Sequence, residues 1–246
     1  MVMLFFYLPL IILIIFSFNA SRTMTWGGFS LHWYKELFFN SRTLWSSFLN
    51  SLTVALSSAS VSTVVGTLGA IGIYWYNFRM KKLLQVAGFL PLILPEIIIG
   101  VSLLIFFAGI KLKLSLFTIF LAHTTFNIPF VLLMVIARLE EFDFSIIEAA
   151  HDLGAGEIDT LLRVVIPLAF PGIFSGFLMA VTLSLEDFVI TFFVAGPGSS
   201  TLPLHVYSMI RFGVSPVINA LSVVIIAATV MLAFSTRNFF KYIIRK

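Results

Sequence analysis

The chain has 246 residues, of which 60% are hydrophobic and only 11% are charged, and its mean hydropathy is +1.08. A soluble fold of 27.5 kDa cannot bury so large an apolar share, so the composition excludes a soluble enzyme, a disordered chain and a fibrous repeat. Cysteine is absent, and the net charge of +4 indicates basic loops beside a membrane rather than nucleic-acid binding. We therefore expect an all-α polytopic membrane protein that forms a single transmembrane domain over residues 1–246.

Six apolar runs are candidates for membrane spans. About 20 residues of helix cross a hydrocarbon core of about 30 Å, and five of the runs reach that length. The first run is slightly short and lacks the basic flank of a signal peptide, so it is predicted to be the first transmembrane helix. The predicted spans are residues 2–18, 50–76, 84–108, 114–137, 168–194 and 217–236.

The distribution of basic residues predicts the orientation. If both termini are cytoplasmic, nine Lys and Arg residues lie on the cytoplasmic side and six lie outside. Short loops rich in Lys and Arg stay preferentially in the cytoplasm. The sequence therefore predicts a multi-pass protein of the plasma membrane with both termini cytoplasmic.

Aromatic residues are concentrated between residues 25 and 47, after the first span. Trp and Tyr settle at the level of the lipid headgroups, so this segment is predicted to be an interfacial helix that leads into the second span. A cation-binding aromatic site is the alternative. The residues are Trp26, Trp33, Tyr34, Phe38, Phe39 and Trp45.

The second span carries small residues at every fourth position, namely Ser58, Ser62, Gly66 and Ala70. A spacing of four places them on one face of a helix, where they allow another helix to approach closely. This face is predicted to be a packing surface.

Three carboxylates lie within the predicted spans, whereas no Lys or Arg lies at comparable depth: they are Glu96, Glu186 and Asp187. A carboxylate in the middle of a bilayer costs about 2.5 kcal/mol or more, so it usually faces a cavity or a partner. These acids indicate a route for a cation, but they can also be protonated, pair with a neighbouring subunit or lie at the interface. Pro95 predicts a kink beside Glu96. Glu186 and Asp187 are adjacent, so on a helix their side chains point about 100° apart and cannot both line one narrow pore. Polar companions in the spans include His123, Asn127, Thr182, Ser184 and Thr191.

The motifs of common catalytic sites are absent from the sequence. It has no Gly-x-x-x-x-Gly-Lys-Ser/Thr phosphate loop, no His-Glu-x-x-His and no Gly-x-Ser-x-Gly. Its four histidines are scattered, so we expect no metal site. The chain is therefore not expected to be an enzyme.

The longest cytoplasmic loop, residues 138–167, holds seven acidic residues against two arginines. Ser145 with Glu148 fits a capping box, which predicts a helix from residue 146 to 153. Gly154 then ends this helix, because Gly adopts positive φ without strain.

A second helix is predicted to begin near Glu157 and to stop before Pro167. Both helices of the loop have an apolar side, which outside the bilayer favours docking of a partner protein.

The loop resembles the EAA loop of bacterial ABC importer permeases. Glu148-Ala149-Ala150, then three residues, Gly154, then nine residues and Val164-Val165-Ile166-Pro167 match the family pattern Glu-Ala-Ala-x3-Gly-x9-Ile-x-Leu-Pro with two mild changes. Residues 184–203 and 206–221 are similar to permeases for spermidine and putrescine. The chain thus resembles the C-type permease subunit of polyamine importers.

The resemblance implies partners and an energy source. It implies a homologous second permease subunit, two ATP-binding subunits on the cytoplasmic face and an external solute-binding protein at the bacterial inner membrane. This chain itself would hold no cofactor, because the partner ATPases bind ATP and Mg²⁺. Residues of the EAA loop would couple ATP hydrolysis to alternating access: Glu148, Ala149, Ala150, Asp152, Gly154 and Pro167.

A polyamine substrate favours acidic and aromatic residues along the solute pathway. The candidates are Glu96, Glu186, Asp187, Asn127 and Tyr207. Permeases for iron, thiamine or opines share the general scaffold and remain alternatives. An ion-coupled secondary transporter with Glu96 or Asp187 as its ion site is a further alternative.

Overall fold

The computed structural model describes residues 2–23, 25–143, 145–211 and 216–244, with side chains described between residues 5 and 231. This part of the chain is helical, and its single β-bridge joins Asn19 to Phe29. The all-α prediction is confirmed. The helices are α1 (Val2–Ser17), α2 (His32–Lys35, continued by the π-helical turn Glu36–Asn40), α3 (Arg42–Trp75), α4 (Lys81–Ile93), α5 (Glu96–Gly109), α6 (Leu116–Leu139), α7 (Ser145–Asp152), α8 (Glu157–Thr160, continued by the π-helical turn Leu161–Val165), α9 (Ile166–Glu186), α10 (Val189–Val194), α11 (Leu202–Arg211) and α12 (Val217–Ile244).

Three helical segments of the described chain are long and apolar enough to cross a membrane: α3, α6 and the continuous helix Glu157–Glu186. The pair α4 and α5 is a fourth candidate, although the two helices are bent by 110°. The first and last predicted spans correspond to shorter apolar helices, Phe5–Ser17 and Val217–Met231. A count of six spans therefore stays a prediction.

The chain divides into two units, residues 1–46 with 205–246 and residues 47–204. In the first unit α1 packs against α12. Trp33 is buried there, and its indole N–H donates to the backbone oxygen of Asn19 at 2.7 Å. The predicted interfacial helix is therefore wrong in part: it is helical only from His32 to Asn40 before α3 begins, and Trp33 is held by protein rather than by lipid headgroups.

The core of the second unit forms around α6. The small-residue face of α3 packs there as predicted, since a Cβ on Gly66 would lie 2.8 Å from the side chain of Val131. From the other side, a Cβ on Gly176 of α9 would lie 3.2 Å from the Cα of Val131. Small residues thus let two helices reach the backbone of α6, which is how apolar helices associate without a hydrophobic driving force.

Two of the predicted spans are interrupted. The run 84–108 breaks between α4 and α5, because Leu94 is extended with ψ 137° and Pro95 cannot donate a backbone hydrogen bond. The run 168–194 breaks at Asp187, which is extended with ψ 125° between α9 and α10. Both breaks place an acidic residue beside a helix end instead of inside a continuous helix.

The loop of residues 138–167 contains the predicted helix and turn, with two corrections. The N–H of Ser145 donates to the carboxylate of Asp143 at 3.0 Å, so Asp143 takes the capping role that was predicted for Ser145 with Glu148. This backbone hydrogen bond holds the pKa of Asp143 below its usual value. The second helix does not stop before Pro167; it continues through the π-helical turn Leu161–Val165 into α9, and such a turn can accommodate the missing proline N–H.

Gly196 gives a direct test of the packing after α10. A Cβ there would overlap the backbone carbonyl of Leu114, which cannot move aside as a flexible side chain can. We expect Gly196→Ala to lower the stability of the purified protein by about 3 kcal/mol, measured by thermal unfolding in detergent. The control is Gly109→Ala, where a Cβ has open space. Equal stability of the two variants would contradict this packing.

Candidate functional site

A buried polar cluster lies where α6, α9 and α10 meet. His123 of α6 is its centre: the imidazole Nδ1 lies 2.6 Å from the hydroxyl of Ser184, and Nε2 lies 2.9 Å from the hydroxyl of Thr191 and 3.1 Å from Oδ2 of Asp187. These residues are His123, Ser184, Asp187 and Thr191, and each is at most 9% exposed. The cluster joins three helical segments through side chains in an otherwise apolar interior.

The carboxylate of Asp187 is fully engaged by the protein itself. Its Oδ1 accepts the backbone N–H of Ile190 at 3.2 Å, and its Oδ2 accepts the N–H and the hydroxyl of Thr191 at 2.9 and 2.7 Å. Asp187 therefore satisfies donors that the break before α10 leaves unpaired, as a helix-capping carboxylate does.

Ser184 extends the cluster to α3. The hydroxyl of the buried Ser58 donates to that of Ser184 at 3.4 Å. A polar group in an apolar interior costs free energy unless it is hydrogen-bonded, so these connections make the position of each helix depend on the others. A displacement of α10 must consequently break or exchange several hydrogen bonds.

Asn127 lies one turn from His123 on α6. It is completely buried, and neither its amide nitrogen nor its amide oxygen has a hydrogen-bond partner in the described chain. An amide in this state is available to a water, to a solute or to a protein group brought in by a conformational change.

The three predicted acids do not converge. Glu186, the last residue of α9, and Glu96, in the first turn of α5, are exposed and form no hydrogen bond or ion pair within the described residues. Only Asp187 lies in the buried polar cluster. Tyr207 belongs to the other unit and is 41% exposed.

Sequence reasoning treated His123, Ser184 and Thr191 only as polar companions of the acids. Their spacing held a usable signal, because Ser184, Asp187 and Thr191 are three and four residues apart, which would place them on one side of the continuous helix that the sequence predicts. In the described part of the chain, no three His, Cys, Asp or Glu residues are grouped closely enough to hold a metal ion.

The predicted coupling residues lie on the loop of residues 138–167. Glu148, Ala149, Asp152 and Gly154 are exposed, whereas Ile147 is buried and anchors α7. Three large apolar side chains also face outward, Ile146 (44% exposed), Leu153 (90%) and Ile158 (72%). An acidic loop with an uncovered apolar side has the surface of a docking element.

Comparison with known proteins adds independent findings. Residues 62–246 match the family described as binding-protein-dependent transport system inner membrane component. The chain is 38% identical over 234 residues to the spermidine/putrescine transport system permease protein PotC of Escherichia coli (strain K12), covering 95% of this chain and 88% of that protein. It is 40% identical over 229 residues to PotC of Haemophilus influenzae, covering 93% of this chain and 89% of that protein.

Two further proteins are similar along almost the whole chain. The putrescine transport system permease protein PotI of Escherichia coli (strain K12) is 39% identical over 238 residues, covering 94% of this chain and 84% of PotI. A crystal structure of a bacterial ABC transporter involved in the import of the acidic polysaccharide alginate contains a chain with the same fold. It gives a TM-score of 0.69 at 17% identity and covers 94% of this chain and 91% of that one.

Proposed function

The chain belongs to the family of binding-protein-dependent transport system inner membrane components, and from this premise we propose that it is the permease subunit of an ABC importer for polyamines. The observation that carries the proposal is its identity of 38–40%, over more than nine-tenths of the chain, with permeases that are named for spermidine and putrescine transport. The relatives reported above are named for polyamine transport, which favours this function over that of a permease for iron, thiamine or opines and over that of an ion-coupled carrier.

The acidic residues suit a solute with several ammonium groups. Glu96 and Glu186 expose carboxylates without a basic partner among the described residues, so they are proposed to receive the solute first. Asp187 is held by His123, Ile190 and Thr191 in this conformation, so it is proposed to become available when these contacts open. Asn127 offers an amide without a partner inside the same unit. Tyr207, in the other unit, stays a predicted pathway residue.

The energy for transport is proposed to come from outside this chain. Two ATPase subunits would bind ATP and Mg²⁺ and grip the exposed face of α7 and the turn at Gly154. Their closure would then move α9 through the continuous helix Glu157–Glu186. A homologous second permease subunit and an external solute-binding protein complete the assembly, with both termini of this chain in the cytoplasm.

The test is uptake into proteoliposomes that contain the chain with its co-purified partners. We expect labelled spermidine or putrescine to accumulate only when ATP is supplied on the ATPase side, and to be displaced by other polyamines rather than by iron, thiamine or opines. Accumulation by the isolated chain that disappears when an ion gradient is collapsed would instead establish a secondary transporter.

A further inference from the structure

A pocket of about 270 Å³ lies inside the unit formed by residues 1–46 and 205–246. It is enclosed by α1, by the segment that follows α1 and by the start of α12. Arg22 is the one charged residue among the described residues that line it. We call this cavity the α1 pocket. It shares no residue with the buried polar cluster.

One wall of the α1 pocket is apolar. Pro9, Ile12, Leu13 and Phe16 line it from α1. They follow the pattern i, i+3, i+4, i+7, which places them on one face of the helix as a continuous stripe. Such a stripe offers contact area to a hydrocarbon chain, whereas a small inorganic anion gains nothing from it.

The guanidinium group of Arg22 is held in place without an acidic partner. Its central carbon lies 5.7 Å from the centroid of the Trp33 ring, in a cation–π contact. Trp33 is itself buried and fixed by the hydrogen bond from its indole N–H to the backbone oxygen of Asn19. Within the described residues Arg22 forms no ion pair. The guanidinium is therefore positioned but not neutralised, which favours an anion in the pocket.

Hydroxyl groups line the pocket beside this charge. The hydroxyl of Thr23 lies 2.7 Å from that of Ser21 and 2.6 Å from that of Thr25, so the three form a chain. Because each hydroxyl has one hydrogen, the bonds inside the chain leave one O–H to donate at an end of it. Ser21 is the end that lines the pocket. A guanidinium and a hydroxyl donor are both groups that bind phosphate oxygens.

We propose that the α1 pocket binds an anionic phospholipid, with its phosphate at Arg22 and Ser21 and an acyl chain against the apolar stripe of α1. A cation and hydroxyls at one end and an apolar helix face at the other match an amphiphile, whereas a free phosphate would use the polar end alone. The lipid would contact both α1 and the start of α12, and so strengthen the packing of these two helices. Its binding does not depend on which solute is transported.

The experiment is native mass spectrometry of the full-length chain in detergent, titrated with dioleoylphosphatidylglycerol. Arg22→Gln should bind the first lipid about fivefold more weakly than the parent, because it loses the charge that meets the phosphate. The control Arg42→Gln removes the same charge from an exposed residue outside the pocket and should bind like the parent. The parent should also prefer this lipid to the zwitterionic dioleoylphosphatidylcholine, and glycerol phosphate should not displace it.

A second pair of variants tests the apolar wall. Ile12 and Ile11 are exposed to similar extents, 46% and 51%, but only Ile12 lines the pocket. Ile12→Ala should weaken binding of phosphatidylglycerol about threefold, because apolar contact is lost, and Ile11→Ala should not. Equal affinities within either pair of variants, or equal affinity of the parent for the two lipids, overturn the proposal. Displacement by glycerol phosphate would establish a site for soluble anions instead. Unchanged lipid binding by Arg22→Gln with reduced co-purification of partner subunits would establish a protein contact instead.

Discussion

Asp187→Asn is expected to slow polyamine uptake about tenfold while the importer still assembles, because hydrogen bonds to a buried charge contribute about 1.5–3 kcal/mol each. The carboxylate accepts from three donors of Ile190 and Thr191 and also contacts His123. An asparagine of the same size keeps one acceptor oxygen but turns an NH₂ group toward these donors. The break before α10 then loses its fixed geometry. The solute pathway also loses the negative charge of this side chain.

Kinetics of labelled spermidine uptake in proteoliposomes measure this effect, and co-purification of the partner subunits measures assembly. The control is Thr182→Val on α9, since Thr182 is exposed and, within the described residues, its hydroxyl bonds only the backbone oxygen of Leu178 at 2.9 Å. This variant should transport normally. Unchanged uptake by Asp187→Asn would remove Asp187 from the pathway.

His123→Leu removes the imidazole contact of Asp187 and thereby separates two roles of this carboxylate. If Asp187 acts only by holding α10, loss of the His123 contact should reduce the maximal uptake rate as Asp187→Asn does. If Asp187 also binds the solute, releasing it from His123 should lower the KM for spermidine, whereas Asp187→Asn should raise it. The two variants therefore move KM in opposite directions only when the acid contacts the solute.

Composition and spacing predicted the helices and the packing face of α3, because apolar length and a repeat of four residues are local properties. They did not predict which carboxylate is buried. Glu186 and Asp187 are neighbours of the same chemistry, yet the chain leaves the helical conformation at Asp187, so one acid faces outward and the other meets His123 on α6. That outcome depends on a contact 64 residues away.

Trp33, near the other end of the chain, is a second residue whose burial could not be predicted from the sequence. A Trp beside a membrane span is typical of the headgroup region, and the sequence contains nothing that marks this one as buried. Its indole N–H finds the backbone oxygen of Asn19, whose side chain in turn binds the backbone N–H of Gly27 at 2.7 Å. A turn closed by such contacts can be recognised only in three dimensions.

Gly154→Arg is expected to abolish ATP-driven uptake while the importer continues to hydrolyse ATP. Gly154 has φ +85° at the turn after α7, a conformation that costs other residues about 1–2 kcal/mol. Two backbone hydrogen bonds close the turn. The N–H of Gly154 donates to the backbone oxygen of His151 at 2.8 Å, and the N–H of Ala155 donates to the backbone oxygen of Ala150 at 3.0 Å. An arginine strains this turn and projects a long cation from the face that is proposed to meet the ATPase.

Two alanine variants separate the effect of backbone strain at Gly154 from the effect of side-chain size. Gly154→Ala carries the backbone strain alone and should reduce uptake only in part, since open space surrounds its Cβ. Gly156→Ala, two residues later, meets equally open space without a positive φ and should behave as the parent protein. The ratio of solute transported to ATP hydrolysed is the decisive measurement. This ratio should be unchanged in Gly156→Ala, lower in Gly154→Ala and near zero in Gly154→Arg. A normal ratio in Gly154→Arg would mean that this turn does not transmit the ATPase movement.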